Sequence, residues 1–522
     1  CSKNGAPPPR LYDFIRRSMT QMNFQTMFSI LCMAVLFAAP PSALSTDEQE
    51  IDSATAALSL TVYDSILMAL KNNRSLAVQQ YDPDIARTFI VEEQSQFDSS
   101  LDAAFSFSDS TGQRTSGVGE FRPVKNRSFS GDVGLSKQFP VGLDLDVGLN
   151  TVERESNVYT RMFSSRLGAS LMLPVLEGFG KDVNLAGVRL AEKDVDLSLY
   201  ELRGFVLALI AQVEENYWDL LTARKELNIH NTSLELANKQ LTETKDRIEV
   251  GELAEIDLAA AEGEVALREK SVIDARSAIQ KSTLRFLQAL NPSSMEFWMM
   301  PVDLLDEPIA DELENRSLAE VITTAMTARP DLNQARIDIE KQDIQLVQTR
   351  NGLLPKLDFF ITLGKTGYAS TFGDSFSNIG KDDYDISAGF TFSMPLGNRL
   401  AKTRHRRITV NKERAETALQ NFQQLVELDV RIAFAELSRA KQQISATKRA
   451  TQLQQAKYQA ELEKFRVGKS TNLLVLTTQR DLIASQLDEV NAQINLRKAI
   501  LGLHVAEGAL LDHYKIVLPT KE

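Results

Sequence analysis

Residues 199–251 read LYELRGFVLALIAQVEENYWDLLTARKELNIHNTSLELANKQLTETKDRIEVG. Leu199, Val206, Val213, Leu220, Leu227, Leu234, Leu241 and Ile248 recur there at every seventh position. Sustained heptads mean coiled-coil packing rather than a globular core helix. Working outward, the helix starts near residue 184, after the glycines around Gly178-Phe179-Gly180, and runs to Val250. Gly251 stands where a helix C-terminus expects glycine.

The same pattern returns at an offset of 217 residues, with Val430, Leu437, Ile444, Tyr458 and Phe465 and one polar break at Thr451. That helix covers 401–467 and stops at Gly468. At 1.5 Å per residue each helix spans roughly 100 Å, far beyond the ordinary helix of about 11 residues. Glu262 and Gln479 each follow their glycine by eleven positions. Farther upstream, residues 69–76 (ALKNNRSL) resemble residues 325–332 (AMTARPDL) at an offset of 256, and Leu101-Asp102 matches Leu357-Asp358. The halves read as copies, residues 46–295 and 316–510, joined by a linker over 296–315 and followed by a tail over 511–522. The offsets differ by 39, so the first copy carries that many extra residues between its first strand and its long helix.

Each long helix is followed by an amphipathic return helix, 254–290 and 473–506, and preceded across its strands by a shorter one, 75–96 and 331–353. The lengths predict long helices packed against end-to-end pairs. Between the helices the sequence alternates with period two. Val141, Leu143, Leu145, Val147 and Leu149 interleave with glycine and acidic or amide residues; Ile386, Ala388, Phe390, Phe392 and Met394 interleave with serine, glycine and threonine. Further strands are expected near 101–108, 129–136, 165–173 and 357–364. Strands of ~10 residues with one apolar face suit a membrane β-barrel. Two strands per copy cannot enclose a lumen, so the chain must oligomerise.

Composition agrees. Aromatics are 7% of 522 residues, which favours long helices over a compact α/β enzyme. No apolar run approaches the ~18–20 residues of a transmembrane helix. The longest, 27–39, follows Arg16 and Arg17 and precedes small residues, the layout of a signal peptide beginning at Met19 or Met22 and cut near Ser45. Its removal takes four positive charges and one negative, moving the net charge from −12 to −15. That balance argues against nucleic acid as a partner. Cys1 and Cys32 are the only cysteines and precede the cut, so the exported chain has no disulfide. A lipoprotein reading of Cys1 conflicts with the signal peptide downstream, and Leu31 is too bulky before Cys32.

Six segments together resemble the TolC-like outer membrane factor family over essentially the whole exported chain. LSLTVYDSILMALKNNRSL and SLAEVITTAMTARPDL precede the strand sets. LMLPVLEGFGKDVNLAGVRLA and FSMPLGNRLAKTRHRRI carry strand into helix, and RIEVGELAEIDLAAAE and FRVGKSTNLLVLTTQ turn the helix tips. The resemblance implies a mainly α chain with membrane β: a duplicated repeat whose long coiled-coil α-helical barrel joins a trimeric outer-membrane β-barrel. It implies a non-enzymatic efflux or type I secretion channel subunit without cofactors. Its partners would be outer membrane lipid, its own copies in a homotrimer, a periplasmic adaptor and an inner-membrane pump. The adaptor would dock at the tips: Val250, Gly251, Asp257, Glu262, Val467, Gly468 and Gln479.

Two departures stand out. Some family members close the periplasmic entrance with an arginine two residues after the second tip glycine and aspartates six and nine after it. Here those positions are Ser470, Leu474 and Thr477, while Asp257 keeps an acid at plus six in the first tip. The extra residues read as a hairpin turning at Phe139-Pro140-Val141. Four strands per protomer would make a trimeric barrel of twelve strands and six would make eighteen; the expectation here is twelve, with the extra hairpin outside the wall.

No catalytic constellation appears. His230, His405, His504 and His513 lack metal-ligand spacing, and His230 falls on the helical seam. Alternation puts Asp144 and Asp146 on a polar strand face. Lys402, Arg404, His405, Arg406 and Arg407 form a basic cluster where a strand enters the second long helix. It is either a solvated helix start or a contact with anionic lipid or a neighbouring protomer at the membrane boundary. A periplasmic adaptor is the competing function, but a helical hairpin adaptor has no use for two amphipathic strand sets.

Overall fold

The computed structural model describes residues 58–115, 121–158, 160–292, 296–308 and 316–517; the expected leader lies outside them. The first half contains β1 (Leu58–Leu60), α1 (Val62–Asn72), α2 (Arg74–Gln79), α3 (Asp82–Gln94), β2 (Ser99–Thr115), β3 (Phe121–Gln138), β4 (Asp144–Ser156), β5 (Met162–Pro174), α4 (Lys181–Asn184), α5 (Ala186–Glu249) and α6 (Glu255–Leu290). After β6 (Val302–Leu304) come α7 (Leu318–Ala328), α8 (Pro330–Asn351), β7 (Lys356–Ala369), α9 (Phe372–Ser377), β8 (Tyr384–Ser393), α10 (Arg399–Arg466), α11 (Asn472–Glu507) and α12 (Leu510–His513).

Local chemistry sets the helix ends. Thr61 with Asp64, and Ser317 with Glu320, form matching capping boxes at the starts of α1 and α7. Each hydroxyl takes an orphan N–H while the acid answers the cap's own N–H. The expected short helix 75–96 is split at Gln80-Tyr81, whereas Pro330–Asn351 runs unbroken. The long helices have 64 and 68 residues, spanning about 96 and 102 Å. They lie in one layer with the return helices, α6 against α5, α5 against α11, and α11 against α10. The Asn73 amide reaches the Ala289 carbonyl at 3.5 Å, stacking α1 on the end of α6.

The heptad line holds only midway along α5. Val206, Val213 and Leu220 are fully buried, but Leu227, Leu234, Leu241 and Ile248 are only partly so. Nearer the tip the buried line passes to Ser233, Ala237, Gln240 and Thr244. Those steps of four, three and four make an eleven-residue repeat, which a nearly straight helix follows better than a strict seven.

The main core surrounds Tyr217, Phe286, Ile66, Leu287 and Leu290 where α1, α5 and α6 meet. The linker is structural: β6 pairs in parallel with β1, joining residues about 240 apart. Tyr217 locks this pairing, since its hydroxyl donates to the Leu60 carbonyl at 3.2 Å and accepts from the Asp306 N–H at 2.9 Å. Leu510 and Leu511 are buried in the same core, so the expected boundary at 510 falls inside a packed helix.

The six remaining strands make one antiparallel sheet in the order β2-β3-β4-β5-β7-β8. The predicted turn forms between β3 and β4 over 139–143. The expectation that the extra hairpin stands apart is not met: β3 pairs with β2 on one side and β4 pairs with β5 on the other. A difference in sequence offset gives the length of an insertion but not its place in a sheet. Alternation puts Leu101, Phe105, Phe129, Val133, Leu149, Leu167, Ile361 and Phe390 on one face, while Asp132, Asn150, Arg166 and Ser170 line the other.

Glu214 is buried beside the core, accepting from Trp218 Nε1 at 3.2 Å and from the Tyr514 hydroxyl at 2.7 Å. Burial pushes its carboxyl above the ordinary value against the opposing help of these bonds. A carboxyl with a raised folded pKa holds its proton better in the folded state. It therefore favours folding most below the unfolded pKa of about 4.3 and loses that contribution as pH rises through the folded value. In thermal melts between pH 4 and 8, the stability of the natural chain relative to Glu214→Gln should fall as pH rises. A difference independent of pH would contradict this assignment.

Candidate docking tips and conduit wall

Both long helices end in the same backbone device. At the first tip Glu252 N–H donates to Arg247 O at 2.8 Å and Gly251 N–H to Ile248 O at 3.0 Å; at the second, Lys469 N–H donates to Lys464 O at 2.8 Å and Gly468 N–H to Phe465 O at 3.0 Å. Each pair is a Schellman motif closing on a left-handed residue. Gly251 has φ +77° and Gly468 φ +74°, and a Cβ at either would meet nothing within 4 Å. The dihedral, not the available space, demands glycine here.

The tips lie side by side. Tyr458, Phe465, Val475 and Leu482 form a small core that Leu253 of the first tip joins. Arg247, unanticipated from the sequence, clasps them: Nη1 donates to Phe465 O at 3.3 Å, Nη2 to Arg466 O at 3.2 Å, and the guanidinium lies 4.9 Å from the centre of the Phe465 ring. A cation in the last turn of a helix is the only sequence signal it offered.

The expected docking residues separate into two environments. Val250 and Val467 are 71% and 66% exposed at the extreme end, with Ile256 and Leu473 beside them. Asp257 sits half-exposed in the first turn of α6, where an acid suits the helix dipole. Glu262 is exposed, 3.8 Å from Lys245 Nζ. Gln479 is 2% exposed, in the seam where Gln240 Nε2 reaches Asn472 Oδ1 at 3.4 Å. It belongs to the interior of the tip. At the three positions weighed above for gate charges, the Ser470 hydroxyl bonds Glu461, the Thr477 hydroxyl donates to Leu473 O at 2.8 Å, and Leu474 is half-exposed.

At the other end, Lys402, Arg404, Arg406 and Arg407 are exposed within the first turns of α10, and none is ion-paired among the described residues. Positive charges at a helix N-terminus oppose its dipole, so the cluster does not serve the helix itself. His405 Nδ1 lies 3.2 Å from the Thr349 hydroxyl. His504 and His513 stack with centroids 4.3 Å apart, yet no cluster fit for a metal occurs among the described residues. His230 is half-buried on its seam, and burial lowers its pKa.

On the polar sheet face Arg166 of β5 reaches across β7 to Asp385 of β8, with Nε–Oδ1 at 3.1 Å and Nη2–Oδ2 at 2.5 Å. Gly364 lies beneath this bridge, where a Cβ would come within 2.6 Å of both partners. Asp144 and Asp146 share the polar face, as alternation predicts.

Gly251→Val should strain the first tip by about 1–2 kcal/mol, because a β-branched residue resists positive φ, whereas Gly251→Asn should strain it little. Hydrogen exchange should report amides at residues 247–253 opening roughly tenfold faster in the valine variant. Equal exchange in both variants would remove the dihedral argument.

The geometry now has counterparts among known proteins. The chain is similar to outer membrane efflux protein BepC of Brucella suis biovar 1 (strain 1330), 23% identical over 368 residues covering 67% of this chain and 76% of that protein. Its fold is similar to that of the outer-membrane channel OprN, with a TM-score of 0.64 at 16% identity over 86% of this chain and 89% of that one. The outer membrane channel CmeC of Campylobacter jejuni matches with a TM-score of 0.63 at 14% identity over 91% and 94%. The profile of the outer membrane efflux protein family matches residues 66–292 and 321–509, the greater part of both halves, and the adaptor reading is set aside. The chain belongs to that family and is an efflux channel component of the outer membrane.

Proposed function

We propose that three copies of this chain form one conduit, a membrane β-barrel continuous with a helical tube. It would conduct substrates passively out of an adaptor and pump complex seated at the tips. The observation that carries this reading is the junction of the two regimes: a sheet with one apolar face feeds, through β5 and β8, two helices of 64 and 68 residues. Helices of about 100 Å that start at the outer membrane put their far ends deep in the periplasm. A partner anchored in the inner membrane can reach them there. The two halves, alike in helix lengths and glycine-capped tips, act as a duplicated unit that presents two tips per protomer.

In this reading Val250, Ile256, Val467 and Leu473 form an apolar fringe for the adaptor, with Asp257 marking the first tip and Leu474 its uncharged counterpart in the second. Buried Gln479 belongs to the packed interior of the tip and is no part of this fringe. The basic cluster at Lys402, Arg404, Arg406 and Arg407 begins nine residues after β8, which supports contact with anionic lipid headgroups at the inner boundary of the membrane.

The test combines Val250→Asp with Val467→Asp and measures dye export, trimer abundance and crosslinking to the adaptor. Export and crosslinking should be lost while trimer level and membrane insertion stay normal, and Asp257→Arg alone should weaken only first-tip crosslinks. Normal export and crosslinking by the double variant would overturn the docking assignment. A monodisperse monomer of the natural chain in mild detergent would overturn the trimer.

A further inference from the structure

The extra hairpin, β3 with β4, keeps the facing of the rest of the sheet without a slip. Three successive cross-strand rows make this visible. Ser100, Ser136, Asp146, Ser170, Thr362 and Ser387 lie in one row across all six strands. The next row, on the opposite face, is Leu101, Leu135, Val147, Ala169, Leu363 and Ile386, without a polar side chain. The third returns to the polar face as Asp102, Gly134, Gly148, Gly168, Gly364 and Asp385. A register slip of one residue anywhere in the hairpin would exchange its faces, and none occurs.

We propose that β3 and β4 are staves of the barrel wall inside the bilayer. Each protomer then contributes six strands, and the β8 edge of one copy pairs with the β2 edge of the next. The inference rests on the trimer proposed above, which makes the barrel eighteen-stranded. Three observations carry it beyond that reading.

First, the hairpin exposes the same kind of apolar surface as its neighbours: Phe129 is 46% exposed, Leu135 50% and Val147 39%. Phenylalanine and aliphatic side chains so disposed are costly in water and well solvated in lipid tails. Second, β2 pairs only with β3, and β4 is the partner of β5 on that side. A hairpin lifted out of the wall would leave two rows of peptide groups bare in hydrocarbon, at several kcal/mol for each group.

Third, the inner turn of the hairpin is built into the place where the wall meets the tube. Gly180 N–H donates to Val141 O at 3.1 Å. Gly142, at φ +95°, lies so close to the strand-to-helix passage that a Cβ there would be 2.5 Å from Gly178 O.

This turn leads into no helix, so only β2, β5, β7 and β8 connect to helices. The wall therefore has more staves than the tube has helical connections. Barrel width grows roughly in proportion to strand number, so the mouth is about one and a half times as wide as a twelve-stranded one.

The test uses single cysteines in the full chain reconstituted in liposomes, with Cys1 and Cys32 replaced by serine. Spin labels at Leu135→Cys and Val147→Cys are compared with labels at Ser136→Cys and Asp146→Cys for collision with oxygen in lipid and with a water-soluble nickel chelate. Leu363→Cys and Thr362→Cys on β7 serve as references. Hairpin labels should alternate as the references do, with 135 and 147 in lipid and 136 and 146 in water. Val133→Cys and Asn150→Cys give the same reading where a first-choice variant fails to insert. Water access on both faces of the hairpin, with alternation kept on β7, would overturn this inference and leave the channel reading intact. Loss of alternation on β7 itself would overturn the membrane sheet and this inference with it.

Discussion

A peptide group has no water to bond in hydrocarbon, and leaving one unpaired there costs several kcal/mol. The rest of the structure depends on that constraint. Among the described residues no helix is long and apolar enough to cross a membrane. In the proposed conduit the crossing belongs to the strands, which must satisfy one another from edge to edge. A shared register over six strands satisfies every inner edge within one chain. The β2 and β8 edges remain open, and in the proposed trimer they pair between protomers. Beyond the bilayer, water meets backbone needs on any surface, and the chain changes to helices whose hydrogen bonds are internal.

The change of regime takes place in a few residues. Gly178 and Gly180 hold positive φ between β5 and α4, and Asn398 holds φ 38° before α10. The Asn184 amide bonds the carbonyls of both Gly178 and Gly180. Strand direction and helix axis are thereby fixed relative to each other at each entry. Across the layer below, the halves diverge in surroundings although they agree in length. Helix α11 is held between α5 and α10, while α6 meets only α5 broadly. Glu262 and Gln479, alike in sequence position, consequently face solvent and interior respectively.

Much of this was legible before any coordinates. Helix ends at Val250 and Val467 were readable because a left-handed cap leaves a glycine in the sequence. Strand faces were readable because alternation is local. Three things were not. The pairing of β1 with β6 joins two three-residue strands across the first half, too short to alternate visibly. The place of the extra hairpin is a matter of long-range register, about which offsets say nothing. The passage of the α5 seam onto Ser233, Ala237, Gln240 and Thr244 depends on the neighbour it meets, not on the heptad leucines that announce the helix. Of the tip residues, the glycines cap the helices as their place in the sequence suggests and the valines beside them are exposed; Gln479 and Arg247 take their settings from packing alone.

That seam also sets how α5 yields to force. Midway along α5, buried Val206, Val213 and Leu220 each contribute about 1.5–3 kcal/mol. Toward the tip, serine, alanine, glutamine and threonine fill the same line and offer far less apolar area. Packing along α5 is therefore graded, broad and apolar at its middle and thinner from Ser233 to Thr244, beyond which the Arg247 clasp and the core around Tyr458 and Phe465 take over the hold. A bending load on α5 is taken up first in that thinly packed stretch between its middle and its tip.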